Sequence, residues 1–273
     1  FTLFPYTTLF RSKFIVSGSA SLHPRLARIF WAARIPILEA YGLTETSPGV
    51  TCYRFDPGTV KFGTVGTLLT GNQMKIAADG EILVKGPNVM IGYLNSPEKT
   101  AEVIDADGWF HTGDIGVIEE GKFLRITDRK KEIFKTSGGK YIAPQPIEQK
   151  ISESPFIENI MVVGENRNYP AALIIPNFEH LRNWCAVKGI EFISREWAVN
   201  NPVIIKRFWK EIDRFNLDLG QTEKVKKIRL LDADWTLGTG EISPTLKLRR
   251  KFILEKYQQD IHAMYGAAEY HNF

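Results

Sequence analysis

An α/β region followed by a separate α+β domain is the architecture that this 273-residue sequence predicts. Three observations lead there. "KFIVSGSASLHPRLARIFWAARIPILEAYG" reads strand, loop, helix, strand, a βαβ-like unit of a covered sheet. From about residue 60 to 128, short strands are split by Asp-Gly and Glu-Gly turns, which predicts a small antiparallel barrel or meander. After Arg129 helical and strand patterns alternate with no internal repeat, which predicts a second domain beginning near residues 129–131.

Taken in order, the first helix has Pro24 near its start. Leu22, Leu26, Ile29, Phe30 and Ala33 lie on one face, so that face is expected to be covered. "NSPEKTAEVI" predicts a short helix capped by Ser96, with Pro97 at its first position. In the second domain "APQPIEQKISES" predicts a helix, and "NIMVVGENRNYPAALIIP" two strands around a polar turn. "EHLRNWCAVKGI" and "NPVIIKRFWKEIDRFNLDL" predict helices, and "VKKIRLLDADW" a strand. "KLRRKFILEKYQQDIHAMY" predicts one last helix with Phe252, Ile253, Tyr257, Ile261 and Met264 inward.

Composition bounds the function. The chain is 44% hydrophobic and 24% charged, as globular proteins are, and no apolar run approaches the length of a membrane helix. Two distant cysteines, Cys52 and Cys185, argue against a disulfide scaffold and for a reducing compartment, the cytoplasm. Residues 1–128 hold 12 Lys and Arg against 13 Asp and Glu; residues 129–273 hold 23 against 18. A basic second half suits a polyanionic ligand such as a nucleotide or coenzyme A, and leaves peripheral contact with an anionic membrane open. It does not suit nucleic acid, because no aromatic interleaving or docking motif accompanies the charge.

Four stretches carry chemistry. "YGLTET", Tyr41–Thr46, sets two threonine hydroxyls and a carboxylate in a tight turn: hydroxyls suit phosphate oxygens and a carboxylate a hard cation. The same pattern also describes a capped turn. "DGWFHTGDIG" places Asp114 in a glycine-bounded turn, suited to a ribose diol or to an ordinary Asx-turn. "TDRKKEIFKTSGGKYIAP" gathers cations about Arg129, whose fork suits ribose or phosphate oxygens, and ends in a loop where Gly138 and Gly139 admit a slender ligand. It reads equally as a linker plus a hairpin. "GEISPTLKLRRKF" puts Lys247 in a loop before a basic helix start.

The order and spacing of "SGSAS", "YGLTET", "GWFHTGDIG", "DRKKEIFKTSGGKYIAP" and "PTLKLRRK" resemble the adenylate-forming superfamily, and within it the long-chain fatty acyl-CoA synthetases (AMP-forming), over residues 13–270. The resemblance implies residues 13–130 as the end of a large AMP-binding domain and 131–273 as a small mobile α+β C-terminal domain. It implies ATP, Mg²⁺ and CoA as cofactor and co-substrates and a fatty acid as substrate. Ser17–Ser21, with Gly18 and Ser19, would lie on the adenine side, although "SGSAS" departs from the commoner Gly-Ala-Pro form. Tyr41 and Gly42 would contact the base, Thr44 the phosphate and Glu45 the magnesium. Asp114 and Arg129 would hold the ribose, Lys131 would be the hinge, and Gly138 and Gly139 would line the pantetheine passage. Lys247 would be the catalytic lysine, with Thr245-Leu246 standing where many relatives carry Ser-Gly.

"TLFPYTTLFRS", residues 2–12, lacks a basic n-region and a cleavage site, and reads as translated sequencing-adapter sequence, so residues 1–12 are set apart from the fold. The resemblance places a Ser/Thr/Gly-rich phosphate loop and most of a fatty-acid tunnel upstream; neither occurs in this sequence. The chain is therefore expected to be the C-terminal half of a ligase, inactive alone. The alternatives are a relative that adenylates another acid, such as an aryl or short-chain one, and a non-catalytic nucleotide- or CoA-binding module. Chain-length preference and oligomeric state are not legible in the residues.

Overall fold

A computed structural model describes residues 13–19 and 22–266, so the reading of residues 1–12 lies outside the described residues. The chain forms two compact units that part between Lys131 and Glu132.

The first unit is built on one eight-stranded sheet, in the order β1-β2-β3-β4-β8-β7-β6-β5. Strand β1 (Ile15–Ser17) runs parallel to β2 (Ile37–Tyr41), joined through helix α1 (Pro24–Ala32). This is the βαβ unit expected. The other pairings are antiparallel: β3 (Thr51–Cys52), β4 (Thr67–Leu68), β5 (Gln73–Ile76), β6 (Glu81–Lys85), β7 (Phe110–Glu119) and β8 (Phe123–Arg129). The small barrel or meander of the sequence is the run β4-β8-β7-β6-β5, in which β5 forms an edge. Its inner face packs Ile82, Val84 and Leu124 against Tyr41 and Val50.

Helix α1 departs from expectation. Leu26 and Ile29 are 48% and 52% exposed and Ala33 is exposed; only Ala27 is buried. Leu22 and Phe30, on the same face, are half-buried. Helix α2 (Pro97–Val103) has the expected bounds, but the Ser96 side chain makes no capping bond. Thr100 instead donates both its backbone N–H and its hydroxyl to the Ser96 carbonyl.

The second unit holds the larger core. Strands β11 (Ile157–Val163), β12 (Ala171–Pro176) and β13 (Lys227–Leu230) form a sheet with β12 central, antiparallel to β11 and parallel to β13. "AALIIP" is buried along its whole length, as an apolar run covered on both faces must be. A two-stranded hairpin, β9 (Phe134–Lys135) and β10 (Tyr141–Ile142), precedes α3 (Pro144–Ile151). Helices α4 (Phe178–Lys188), α5 (Arg195–Asn200) and α6 (Pro202–Asn216) follow; α5 was not anticipated. Asn177, Ser194 and Asn201 cap these three helices with side-chain oxygens that accept backbone N–H bonds. In α6, Ile204, Phe208, Ile212 and Phe215 recur at helical spacing and are all buried. The single last helix expected is two, α7 (Arg250–Lys256) and α8 (Gln258–Tyr265), broken at Tyr257. Ile253 and Ile261 are buried as anticipated. No described helix is long and apolar enough to cross a membrane, and Cys52 and Cys185 are free.

Two outcomes follow from this packing. Phe208 has no exposed surface. Phe208→Ala is expected to destabilise the second unit by about 3–5 kcal/mol, read as a lower urea midpoint, with a loss under about 1 kcal/mol counting against a close-packed core. In the first unit Glu39 on β2 is 4% exposed. Burial raises its carboxyl from 4.5 to about 7, partly offset by the Leu22 backbone and Tyr53. The folded state therefore holds a proton that the unfolded state has released above pH 4.5. Stability from this group is full below that pH, declines as pH rises toward 7, and is gone above it, a change of about 3 kcal/mol. Glu39→Gln should gain stability over the parent progressively between pH 5 and 8; a pH-independent difference would contradict the assignment.

Candidate active site

The first cluster grows from the ends of two parallel strands. Ser17 at the end of β1 stands opposite Glu39 in β2. Gly18 and Ser19 therefore leave the sheet beside Ala40, Tyr41 and Gly42, in the crevice past the carboxyl ends of parallel strands, where α/β folds bind ligands. Ser19 has a left-handed φ of 67°, which turns the chain out of β1. Ala20 and Ser21 lie outside the described residues. Gly42 is fixed by the fold itself: a Cβ there would meet the Pro48 carbonyl oxygen at 1.5 Å.

Tyr41 reaches across to the antiparallel strands. Its hydroxyl donates to Asp114 Oδ2 at 2.7 Å. Asp114, expected in a glycine-bounded turn, lies instead within β7, because pairing with β8 carries the strand through it; it is buried on the inward face and the register sets it opposite Arg129. Arg129 Nε lies 3.4 Å from Asp114 Oδ1, with half of its side chain exposed. Burial and the neighbouring Asp114 push the Tyr41 phenol far above its usual range, so it acts as a donor. A carboxylate has about four acceptor positions and Tyr41 takes one of those on Asp114. Thus Tyr41, Asp114 and Arg129, drawn from three separate motifs, form one cluster with a partly open cation.

The Thr44–Thr46 segment is a single 3₁₀ turn. Thr46 is buried and closes the turn on itself, its hydroxyl bonded to the Leu43 N–H and carbonyl. Thr44 is exposed and Glu45 half-buried. The segment after β6 braces this turn from outside. Asn88 Nδ2 donates to the Thr46 and Gly49 carbonyls, Met90 N–H to the Glu45 carbonyl, and the Tyr93 hydroxyl to Glu45 Oε1 at 2.9 Å. Asn88 and Tyr93 were not anticipated; they lie more than 40 residues away in sequence and carry no local signal.

The second unit carries two further stretches. Gly138 and Gly139 occupy the β9–β10 turn, closed by Gly139 N–H to Thr136 O and Thr136 N–H to Lys140 O. Gly139 has φ +79°, and a Cβ on Gly138 would meet nothing within 4 Å, so the turn presents open backbone. Lys247 sits in a hairpin pinned by the Ile242–Leu248 bridge, with Ser243 N–H to Lys247 O and Lys247 N–H to Ser243 Oγ. Leu246, just before it, adopts φ 58° and is 77% exposed. That left-handed torsion is the reason a glycine is suited to this place; for leucine it costs about 1–2 kcal/mol. No carboxylate of the described residues pairs with Lys247. Lys131, exposed and likewise unpaired among the described residues, ends the first unit.

Comparison with known proteins bears on these stretches. The family model for AMP-binding enzyme matches residues 5–94, and that for the AMP-binding enzyme C-terminal domain matches residues 131–269. Long-chain-fatty-acid–CoA ligase FadD15 of Mycobacterium bovis is 39% identical over 252 residues, covering 92% of this chain and 42% of the relative. Long-chain-fatty-acid–CoA ligase 1 of Homo sapiens is 34% identical over 271 residues, 94% of this chain and 38% of the relative. Among solved structures, the A domain of carboxylic acid reductase from Segniliparus rugosus, in complex with AMP and a carboxylic acid, superposes with a TM-score of 0.73 at 23% identity. The match covers 92% of this chain and 39% of that one. The chain spans 42% or less of the length of these two ligases. With both family models matched in order on a fold of the same kind, the chain belongs to the AMP-binding enzyme family, the adenylate-forming enzymes.

Proposed function

We propose that the protein carrying this chain is a long-chain fatty acid–CoA ligase that makes acyl-AMP from ATP and then the acyl-CoA thioester. The observation that carries this reading is the convergence of Tyr41, Asp114 and Arg129 beside the Thr44–Glu45 turn, in a chain 39% identical to a fatty-acid–CoA ligase. In the first step a carboxylate oxygen bonds to the α-phosphorus of ATP, the bond to the β-phosphate oxygen breaks, and pyrophosphate leaves. In the second the CoA sulfur bonds to the acyl carbon, the anhydride C–O bond breaks, and AMP leaves.

Each residue has a part. Gly18, Ser19, Tyr41 and Gly42 flank the base. Asp114 accepts from the ribose hydroxyls and Arg129 donates to them. The exposed Thr44 hydroxyl donates to phosphate. Glu45 suits a divalent cation held mainly by nucleotide and water: its turn offers one carboxylate, and no cluster of three His, Cys, Asp or Glu ligands exists among the described residues. Bound there, Mg²⁺ would neutralise phosphate charge. Tyr93 aims the Glu45 carboxylate. Lys247, with no carboxylate partner among the described residues, is the cation that lets two anions meet, and such preorganised charge is worth about 10²–10³ in rate. Gly138 and Gly139 offer backbone to the slender pantetheine arm, and Lys131 is the pivot between the two reactions. Residues 1–273 by themselves, which hold the base and ribose side of the nucleotide site, are inferred not to turn over.

In the full ligase, Lys247→Ala is expected to slow acyl-AMP formation about 10²–10³-fold, followed as pyrophosphate release with palmitate. Thioester formation from supplied acyl-AMP should stay close to parental. Equal losses in both half-reactions would remove Lys247 from its role, and a preference for benzoate or acetate over palmitate would replace the substrate class.

A further inference from the structure

We propose that Arg250 is a positioning residue that couples the backbone leaving Lys131 to the hairpin carrying Lys247, so that torsion at one residue sets the place of the lysine. The proposal rests on the ligase reading above.

The three residues at the boundary are held differently. Lys130 Nζ lies 2.7 Å from Asp79 and 2.9 Å from Glu81, which ties it to the first unit. Glu132 Oε2 accepts from Arg250 Nε at 2.9 Å and from Gln145 Nε2 at 2.8 Å, which ties it to the second. Lys131, between them, has no ion pair among the described residues. Rotation is therefore least hindered at Lys131, with an anchor directly on each side.

The anchor on the second side is also the root of the lysine hairpin. Arg250 follows Lys247 by three residues, and its neighbour Arg249 donates its N–H to the Glu241 carbonyl at 2.7 Å, closing the hairpin base. Besides Glu132, the guanidinium bonds both oxygens of Glu148 on α3 and, through Nη1 at 3.2 Å, the Val162 carbonyl on β11. Glu148 also accepts from the Val162 N–H at 2.6 Å. One side chain, 15% exposed, thus joins the boundary segment, α3, β11 and the end of the hairpin. A planar fork of five donors holds direction as well as distance, which an apolar side chain of similar volume or a lysine does not. Two carboxylates, Glu132 and Glu148, thus meet on one guanidinium.

The test uses the full ligase with three variants, Lys247→Ala, Glu132→Gln and Arg250→Lys. Glu132→Gln keeps the shape and the Gln145 neighbour, and is expected to fold with a melting temperature close to the parent. It should lower kcat for acyl-AMP formation about 10–100-fold, the cost of an ångström-scale misplacement, while KM for ATP and thioester formation from supplied acyl-AMP stay near parental. Hydrogen exchange at Leu246–Arg249 should quicken, with β11 and β12 unchanged. Arg250→Lys should act in the same direction. If Lys247→Ala leaves adenylation intact, the ligase reading of Lys247 fails. If Lys247→Ala abolishes adenylation but Glu132→Gln and Arg250→Lys do not slow it, the coupling is overturned and the ligase reading stands. Equal losses in both half-reactions with a lowered melting temperature would make the cluster merely structural and overturn the coupling too.

Discussion

The first unit depends on the register of β7 against β8. Side chains alternate along a strand, so a slip of one residue would turn Asp114 to the outer face and part it from Tyr41. The register is pinned at Gly116, where a bulge begins: a Cβ there would lie 2.8 Å from the Arg125 carbonyl and 2.9 Å from Ile82. Once that pairing is set, Asp114 and Arg129 must face one another, and β2 need only deliver Tyr41. One backbone constraint thereby organises three side chains from motifs 73 and 15 residues apart.

Much of this was legible because the chemistry lies in short motifs with strong local rules. The end of β2, the β9–β10 hairpin and the amphipathic α6 each follow from turn chemistry or periodicity, whereas the glycine-bounded turn expected at Asp114 is continuous strand. What was not legible depends on tertiary contact. The Tyr93 hydroxyl on Glu45 joins residues 48 apart. The break at Tyr257 sits in a sequence with uninterrupted helical periodicity, and neither proline nor glycine marks it. Ser96 has the right side chain for a cap and does not use it; its carbonyl alone is engaged, by the N–H and hydroxyl of Thr100. The exposure of Leu26 and Ile29 shows a related limit: periodicity identifies an apolar face but not whether anything lies over it.

Both units hold carboxylates inside, and the first joins Asp114 to Arg129 and Glu81 to Lys130. The second joins its buried carboxylates to bases or hydroxyls: Glu148 to Arg250, Glu211 to Arg207 and Ser154, Glu241 to Lys256. These bonds are directional and tie loops to helices. In each unit one such carboxylate keeps an oxygen without a hydrogen-bond partner among the described residues, Glu39 Oε1 in the first and Glu241 Oε2 in the second, at a cost in desolvation. The Glu39 carboxyl lies in the same strand as Tyr41, two residues before it.

Leu246 bears on how the lysine hairpin behaves with temperature. A glycine would accept the left-handed torsion freely, but would also visit many others, and the hairpin would be less ordered before anything bound to it. A leucine meets the torsional cost once, when the domain folds, and thereafter the few neighbouring conformations are poorly populated. The difference is one of conformational entropy held in the hairpin rather than of any contact that Lys247 makes. It would be felt most on warming, where an unordered loop loses the most and a pre-set one the least.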